Sequence, residues 1–331
     1  MIKNQWYTIL ESCEVKNKEL IGITRFGEKL VLWRDKEGKL FCIKDKCAHR
    51  GASLSYGKVC FDGNTIQCPF HGFEYDTTGK CQLIPANGKN SKVPDNFFVD
   101  NYPLKEYHKM IFIWWGDKEK EIGEFPFFSD INDKEFSYLT FKDYWQVHYS
   151  RAIENQLDLV HVPFVHYDTI GRGNHTLVNG PVQVIEKNQI FFWVYNEKDY
   201  GQTPKKIEDL PKPDMKKQHI HFIFPNIWQN WINSSMRVFV AFVPIDNNNT
   251  LIYMRTYQKF VKLPIIKYFV DFIMFLFSRK VLLQDKKVVI TQIPIQSSLK
   301  MNENLIHGDL PIITYRKIRD QLIQINNNPK I

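Results

Sequence analysis

Two short runs decide how this chain reads: Cys47-Ala48-His49-Arg50-Gly51-Ala52 and Cys68-Pro69-Phe70-His71-Gly72-Phe73. Each brings one thiol and one imidazole on a tight loop, so Cys47, His49, Cys68 and His71 form a matched set of four ligands. Two thiolates and two imidazoles can hold a 2Fe–2S cluster, with the thiolates on one iron and the imidazoles on the other. Imidazole in place of thiolate lowers the negative charge around the cluster and raises its potential. Such a cluster accepts electrons from a donor and passes them on. The alternative is structural zinc, but a zinc site of this composition ordinarily collects its cysteines as one close pair and its histidines as another. A glycine follows each pair, Gly51 and Gly72, where the backbone must turn closely.

The rest of the chain sets the frame. Its 331 residues are enough for two domains with a buried core. Hydrophobic residues make up 44% and charged residues 24%, the balance of a globular protein. Aromatics reach 15%, which suits a packed core or the lining of a large apolar pocket. The net charge of +8 comes from residues scattered along the chain, so no nucleic-acid-binding stripe is indicated, although a basic surface can steer an acidic partner. No apolar run follows the charge in Met1-Ile2-Lys3-Asn4-Gln5-Trp6, so no signal peptide is read and a cytoplasmic location is expected. In that reducing compartment the six cysteines point to metal rather than to disulfides. Cys13, Cys42, Cys60 and Cys81 lack partners at ligand spacing and read as small hydrophobes.

Residues 1–117 predict a small all-β domain. Ile21–Arg25, Lys29–Trp33, Leu40–Lys44 and Met110–Trp115 are short and rich in β-formers, with glycine-bearing turns between them. A polar connection from Gly116 to Glu124 leads into residues 118–331, an α+β domain. Its pattern is helical from Tyr144 to Val165, then strand-like at Val182–Ile185, Ile190–Tyr195, His219–Phe224, Arg237–Val243 and Leu251–Gln258. Helical stretches at Pro264–Ile293 and Ile313–Gln324 close the chain, and the tail Asn326-Asn327-Asn328 is expected to fray. The fold class is therefore α+β, an N-terminal all-β domain followed by an antiparallel sheet flanked by helices. The apolar stretch Leu263–Phe277 is too short to span a bilayer and is interrupted by Lys267 and Asp271. An amphipathic helix packed on the core is expected there; an interfacial helix in peripheral contact with a membrane is the alternative.

The most telling run of the second domain is Asn155-Gln156-Leu157-Asp158-Leu159-Val160-His161-Val162-Pro163-Phe164-Val165-His166. Two histidines and one carboxylate with open positions make the facial site of non-haem Fe(II) oxygenases. Asp158 and His161 are three apart and share a helix face. His161 and His166 are five apart, so Pro163 must kink or end the helix to bring them together. A distant carboxylate must complete the set. His219 and His221 alternate along a strand and face one side, where packing or surface positions are favoured over a pocket.

These motifs resemble the Rieske non-haem iron oxygenases, in their terminal oxygenase (alpha) subunit and its monooxygenase/demethylase-like branch. The flanking segments Trp6-Tyr7, Leu30-Val31-Leu32-Trp33-Arg34-Asp35 and Gly79-Lys80-Cys81 through Ile84-Pro85-Ala86 carry the likeness further, and it extends to Tyr315-Arg316. Gln284-Asp285, with Gln292 beyond, resembles the family's segment bearing the third iron ligand, which implies Asp285. The resemblance also implies that Asp158 bridges His161 to a cluster histidine, His71, of a neighbouring subunit in a homotrimer. The implied cofactors are one 2Fe–2S Rieske cluster and one mononuclear Fe(II) per chain, with O2 as co-substrate. Electrons come ultimately from NAD(P)H through a separate ferredoxin or flavin reductase. The implied reaction is reductive activation of O2 and insertion of one oxygen into a C–H bond of an aromatic, steroid-like or methylated substrate. On a methyl group, the hydroxylated product collapses and releases formaldehyde. A cis-dihydroxylating dioxygenase is the nearest variant. The rival class is a Rieske electron carrier with a non-catalytic binding domain, which would have no use for His161, His166 and Asp285.

Overall fold

The computed structural model describes residues 1–61, 63–121, 125–131, 136–171 and 176–327. The chain divides into two compact units, Lys3–Gly123 and Glu124–Ile331, the second also taking in Met1–Ile2. Residues 122–124 of the polar connection and the tail from 328 lie outside the described residues.

The first unit is built of ten short strands: β1 Gln5–Glu11, β2 Ile21–Arg25, β3 Glu28–Arg34, β4 Leu40–Lys44, β5 Lys58–Val59, β6 Thr65–Gln67, β7 Glu74–Asp76, β8 Cys81–Leu83, β9 Leu104–Tyr107 and β10 Met110–Trp115. They form three antiparallel sheets, β1-β10-β9, β2-β3-β4 and β5-β6-β7-β8. Val31, Trp33, Ile43, Leu54, Ile66 and Tyr75 pack into one buried cluster that also takes in Cys47 and Cys68. The cluster-loop thiols are therefore held in a dry, close-packed setting, where a buried polar atom must find a partner.

The second unit is a seven-stranded antiparallel sheet with helices. Its strands are β11 Thr140–Trp145, β12 Thr176–Glu186, β13 Gln189–Lys198, β14 His219–Ile223, β15 Ile227–Asn233, β16 Met236–Pro244 and β17 Thr250–Gln258. Their order is β11-β17-β16-β15-β14-β13-β12. The helices are α1 Tyr149–Leu157, α2 Val162–Val165, α3 Pro264–Val289 and α4 Leu310–Asn327. Trp145, Ile153, Leu157, Phe192, Phe242, Leu282, Val289 and Tyr315 belong to one core, which includes Ile2 from the start of the chain.

Several local expectations are corrected. Tyr144 to Val165 is not one helix: Tyr144 and Trp145 end strand β11, and α1 begins only after His148. The aromatic pair on that strand mimics helical spacing. Strands β11 and β15 were not anticipated. Pro163 does not kink a helix; it stands in the first turn of α2, where no amide donor is needed. Cys13 is exposed, unlike the buried Cys42 and Cys81. His219 and His221 are packed, in agreement with the reading favoured for them, His219 stacking on Trp231 and His221 on Phe191.

The largest departure concerns α3. Its buried residues are Asp271, Ser278, Leu282, Asp285 and Val289, so in its first half the inward stripe is polar. Ile265, Ile266, Tyr268, Phe269, Phe272, Ile273 and Leu276 are exposed instead. The expected packing of an apolar face on the core holds only for the second half. Among the described residues no helix is long and apolar enough to cross a membrane.

Candidate metal centres

The two loops of the first unit are built alike. Cys47 N donates to Ala52 O and Cys68 N to Phe73 O, each at 2.8 Å, while Gly51 N returns to Cys47 O at 2.9 Å and Gly72 N to Cys68 O at 3.1 Å. Both closures need a left-handed residue, and Gly51 (φ 77°) and Gly72 (φ 73°) provide it. Sequence identity at matched positions thus becomes identity of backbone geometry. Cys47 and Cys68 are buried, while His49 and His71 are exposed with ring centroids 4.7 Å apart. His49 stacks flat on Phe73 at 4.9 Å. Cys47 Sγ lies 3.2 Å from the Tyr75 hydroxyl, which accepts from Ala48 N at 3.0 Å. With that lone pair engaged, the hydroxyl proton is free to point at the sulfur. Burial pushes the Tyr75 phenol up, so it stays a donor, and burial also pushes the Cys68 thiol up, helped by Cys47 beside it. Two thiols in this setting become thiolates by binding metal.

Among the described residues, one set of three metal-ligating side chains converges with all its ligand atoms within 4.8 Å: His161, His166 and Asp285. The first unit instead offers two buried thiols and two imidazoles from matched loops, the donor types of a two-iron cluster.

In the second unit α1 stops at Leu157, and Asp158 leaves the helix as its cap with extended backbone. Asp158 Oδ1 accepts from Val160 N at 2.7 Å, turning the chain so that His161 starts α2 and His166 ends it. One helical turn thus aligns two histidines that five-residue spacing would misalign on a regular helix. Asp285 comes from the far half of α3 and is 2% exposed. Its Oδ1 lies 3.0 Å from His166 Nε2 and 3.3 Å from His161 Nε2. That oxygen is buried and makes no hydrogen bond with proper angles. Two ring nitrogens and a carboxylate oxygen converging in this way fit the donor set of a mononuclear iron.

Each of these side chains is also held from behind. Gln284 Oε1 is 3.0 Å from His166 Nδ1, Gln156 Nε2 donates to Asp285 Oδ2 at 3.1 Å, and Asp158 Oδ2 is 3.4 Å from His161 Nδ1. The Gln284 contact selects the His166 tautomer that turns Nε2 inward, while Asp158 faces His161 Nδ1 at ion-pair distance, without hydrogen-bond geometry. Burial alone would lower His161, but the Asp158 and Asp285 carboxylates outweigh it and raise it to about 9. Burial alone would raise Asp285, but His161 and His166 bring it down to about 2. A cavity of about 190 Å³ lies against this set, walled by Ile220, Trp228, Val238, Met254, Phe277 and Val281, with a few polar side chains including Asn155, Asn230 and Thr256.

Asp158 stands next to His161, as its spacing suggested, but through a helix cap rather than a shared helix face. Sequence reasoning missed Tyr75, Gln156 as a support and the tie from Gln284 to His166. Gln284 precedes the implied ligand and could have been suspected; nothing in the spacing marks the other two.

Comparison with known proteins closes the argument. Residues 5–107 match the Rieske [2Fe-2S] domain family. Residues 145–324, more than half of the chain, match the Vanillate O-demethylase oxygenase C-terminal domain family. The chain belongs to this family: it is a Rieske non-haem iron oxygenase of the monooxygenase/demethylase branch, with the α+β architecture expected of it. Among its relatives is the methylxanthine N1-demethylase NdmA of Pseudomonas putida, 29% identical over 323 residues that cover 94% of this chain and 84% of that protein. Chlorophyllide a oxygenase of Chlamydomonas reinhardtii is 34% identical over 172 residues, 52% of this chain and 26% of that protein. The solved structure of NdmA superposes with a TM-score of 0.79 at 24% identity, covering 98% of this chain and 92% of that one. Dicamba monooxygenase bound to dicamba superposes with a TM-score of 0.76 at 19% identity, covering 99% of both. At these identities the structural likeness speaks for the fold.

Proposed function

We propose that this chain is the terminal oxygenase of a multicomponent system that hydroxylates or oxidatively demethylates a small, mainly apolar organic molecule. The observation that carries this reading is the convergence of His161, His166 and Asp285 at the wall of an apolar cavity of about 190 Å³. In this reading Cys47, His49, Cys68 and His71 hold the 2Fe–2S cluster, and His161, His166 and Asp285 hold the mononuclear iron. When bound, the pair supplies single electrons and the activation of O2 for insertion into a C–H bond. Gln284 and Gln156 keep the ligands oriented. The apolar wall excludes water and leaves dispersion contacts to seat the substrate. Asn155 Nδ2 and Asn230 Oδ1 are buried without a partner, a donor and an acceptor that suit an amide or ring-nitrogen group on the substrate. Asp158, half-buried beside His161, is proposed to accept from a cluster imidazole of a neighbouring subunit in a homotrimer. Electrons are proposed to arrive from NAD(P)H through a separate ferredoxin or flavin reductase in the cytoplasm.

The test uses the iron-loaded protein with a reductase and NAD(P)H, offered a panel of methoxy- and N-methyl aromatic compounds. Product, formaldehyde and O2 consumption are measured together. The Asp285→Ala variant is expected to keep the cluster's visible absorption, lose one iron per chain and fall to background turnover. Full turnover in that variant would overturn the ligand assignment.

A further inference from the structure

We propose that the outer face of the first half of α3 is a docking surface for an anionic lipid bilayer. The segment from Lys259 to Lys280 contains a single acidic residue, Asp271, against Lys259, Lys262, Lys267, Arg279 and Lys280. Asp271 is turned inward, where its Oδ1 accepts from Gln258 Nε2 at 2.9 Å and from Ser137 Oγ at 3.0 Å. Two turns on, Ser278 Oγ shares a hydrogen bond of 2.6 Å with Thr256 Oγ1. Polar side chains thus fasten the helix to the sheet together with the half-buried Val270, Met274 and Phe275, the last packed on Phe141, while most of its other apolar side chains are turned out. Ile265 is 88% exposed and Phe269 61%, and Tyr268, Phe272, Ile273 and Leu276 stand with them. This inverts the arrangement of a helix packed on a core.

What covers such a face follows from its chemistry. A patch of this extent on a globular protein marks an interaction site. Its rim is cationic, with Lys262 and Lys267 exposed or half-exposed beside the apolar side chains and Arg279 at its end. Lys280 is engaged with Asp168 at 2.7 Å and is not needed. A two-fold contact with a second copy would bring this rim against its own like charges. An acidic protein would match the charge, but protein interfaces also carry regular hydrogen bonds, and this face offers little beyond the Tyr268 hydroxyl. An apolar helix face edged by lysine and arginine fits the headgroup–acyl boundary of an anionic bilayer. Since no described helix is long and apolar enough to cross a membrane, the helix lies on the surface. The proposal does not depend on the chemistry at His161, His166 and Asp285.

The iron-loaded full chain is sedimented with vesicles of phosphatidylcholine alone or mixed with phosphatidylglycerol. Binding is expected to the mixed vesicles, weakening as salt is raised. Ile265→Asp combined with Phe269→Asp, and separately Lys262→Glu combined with Lys267→Glu, should each weaken it by about tenfold or more. Both variants should keep the cluster's absorption and the wild-type size in solution, because these side chains are not part of the core. A wild-type chain that stays in the supernatant with the mixed vesicles overturns the proposal, and so does an Asp variant that sediments as well as wild type. An Asp variant with a smaller assembly size also overturns it, by showing that another copy covers the face.

Discussion

The Tyr75 hydroxyl accepts from the Ala48 amide and lies 3.2 Å from Cys47 Sγ, so its proton serves the sulfur. Hydrogen bonds to cluster sulfurs raise the potential by stabilising the added electron. Tyr75→Phe keeps the ring in the core and removes only that donor. Its cluster should be reduced at a lower potential, by roughly 50 mV, near the one-electron equivalent of a tenfold change in equilibrium. Redox titration followed by visible absorption measures it; an unchanged potential would show that the hydroxyl proton points elsewhere. His148 is a second case where one side chain has two consequences. It caps α1 through Nδ1, which accepts from Ser150 N, and burial, with Arg319 and the chain's amino terminus behind it, pulls its pKa down to about 3. The unfolded chain protonates this imidazole near its ordinary value of 6.5, before the folded one does. Stability from this residue is therefore present above about 6.5 and is lost as the pH falls towards about 3, by roughly 1.4 kcal/mol per pH unit. His148→Asn keeps a capping acceptor without the titration. Urea unfolding should show a shallower loss of stability between neutral pH and pH about 4 in the variant than in wild type.

At the scale of elements, the placing of ligands depends on α1, α3 and α4 being fixed to one another. α1 and α4 are tied by a closed ring of charges. Glu154 accepts from Arg316 through both oxygens at 2.8 Å and from Arg151 at 3.2 Å, and Glu303 bonds both arginines at 2.8 Å. Glu154 is 4% exposed and both arginines less, so removing it leaves two buried cations short of a counter-charge. Glu154→Ala is expected to destabilise the second unit by about 3–5 kcal/mol. Chemical denaturation followed at the second unit's tryptophans would show it, and a loss below about 1 kcal/mol would mean the ring is solvent-screened. The elements also show what patterning can and cannot read. Ile21–Arg25, Leu40–Lys44 and Met110–Trp115 appear with their expected bounds, because short runs of β-formers bounded by turns leave little room for a helix. The first half of α3 was read as an apolar face on a core, because periodicity reports that a helix has an apolar side and not which way it is turned.

For the whole molecule, the question is which chain delivers the electron. Asp158 is half-buried, accepts two backbone amides through Oδ1 and keeps Oδ2 beside His161. In the proposed trimer it joins His161 of one subunit to a cluster imidazole of the next. Asp158→Asn preserves the shape, but with its oxygen held by the Val160 and His161 amides it presents an NH2 donor where Oδ2 could accept. The variant should bind both metals and be reduced normally, with cluster reoxidation by O2 and substrate slowed by at least about tenfold, a modest share of what supporting contacts at metal sites contribute. Stopped-flow absorption reads both steps. A mixed assembly of Cys68→Ala and His161→Ala subunits should recover turnover that neither has alone. A well-assembled but inactive mixture would point to transfer within one chain.

The amino-acid sequence by itself determined the two-unit α+β plan, the all-β first unit and the family, because paired Cys/His loops and the strand pattern around them are local features with local physical causes. It also supplied the candidate ligand types: thiolate with imidazole in one place, imidazole with carboxylate in another. Only the tertiary structure decided the rest. That His161 and His166 bracket a single turn, with Asp285 brought to them from the other end of the unit, depends on where α1 breaks and how α3 lies on the sheet. That Tyr75, Gln156 and Gln284 act as supports depends on contacts between segments far apart in the chain. That the apolar side of α3 faces outward was set by Asp271 and Ser278 finding Gln258, Ser137 and Thr256 inside. The reason is common to all three: spacing along a chain fixes which side chains share an element, while their partners are chosen by packing, which no single segment encodes.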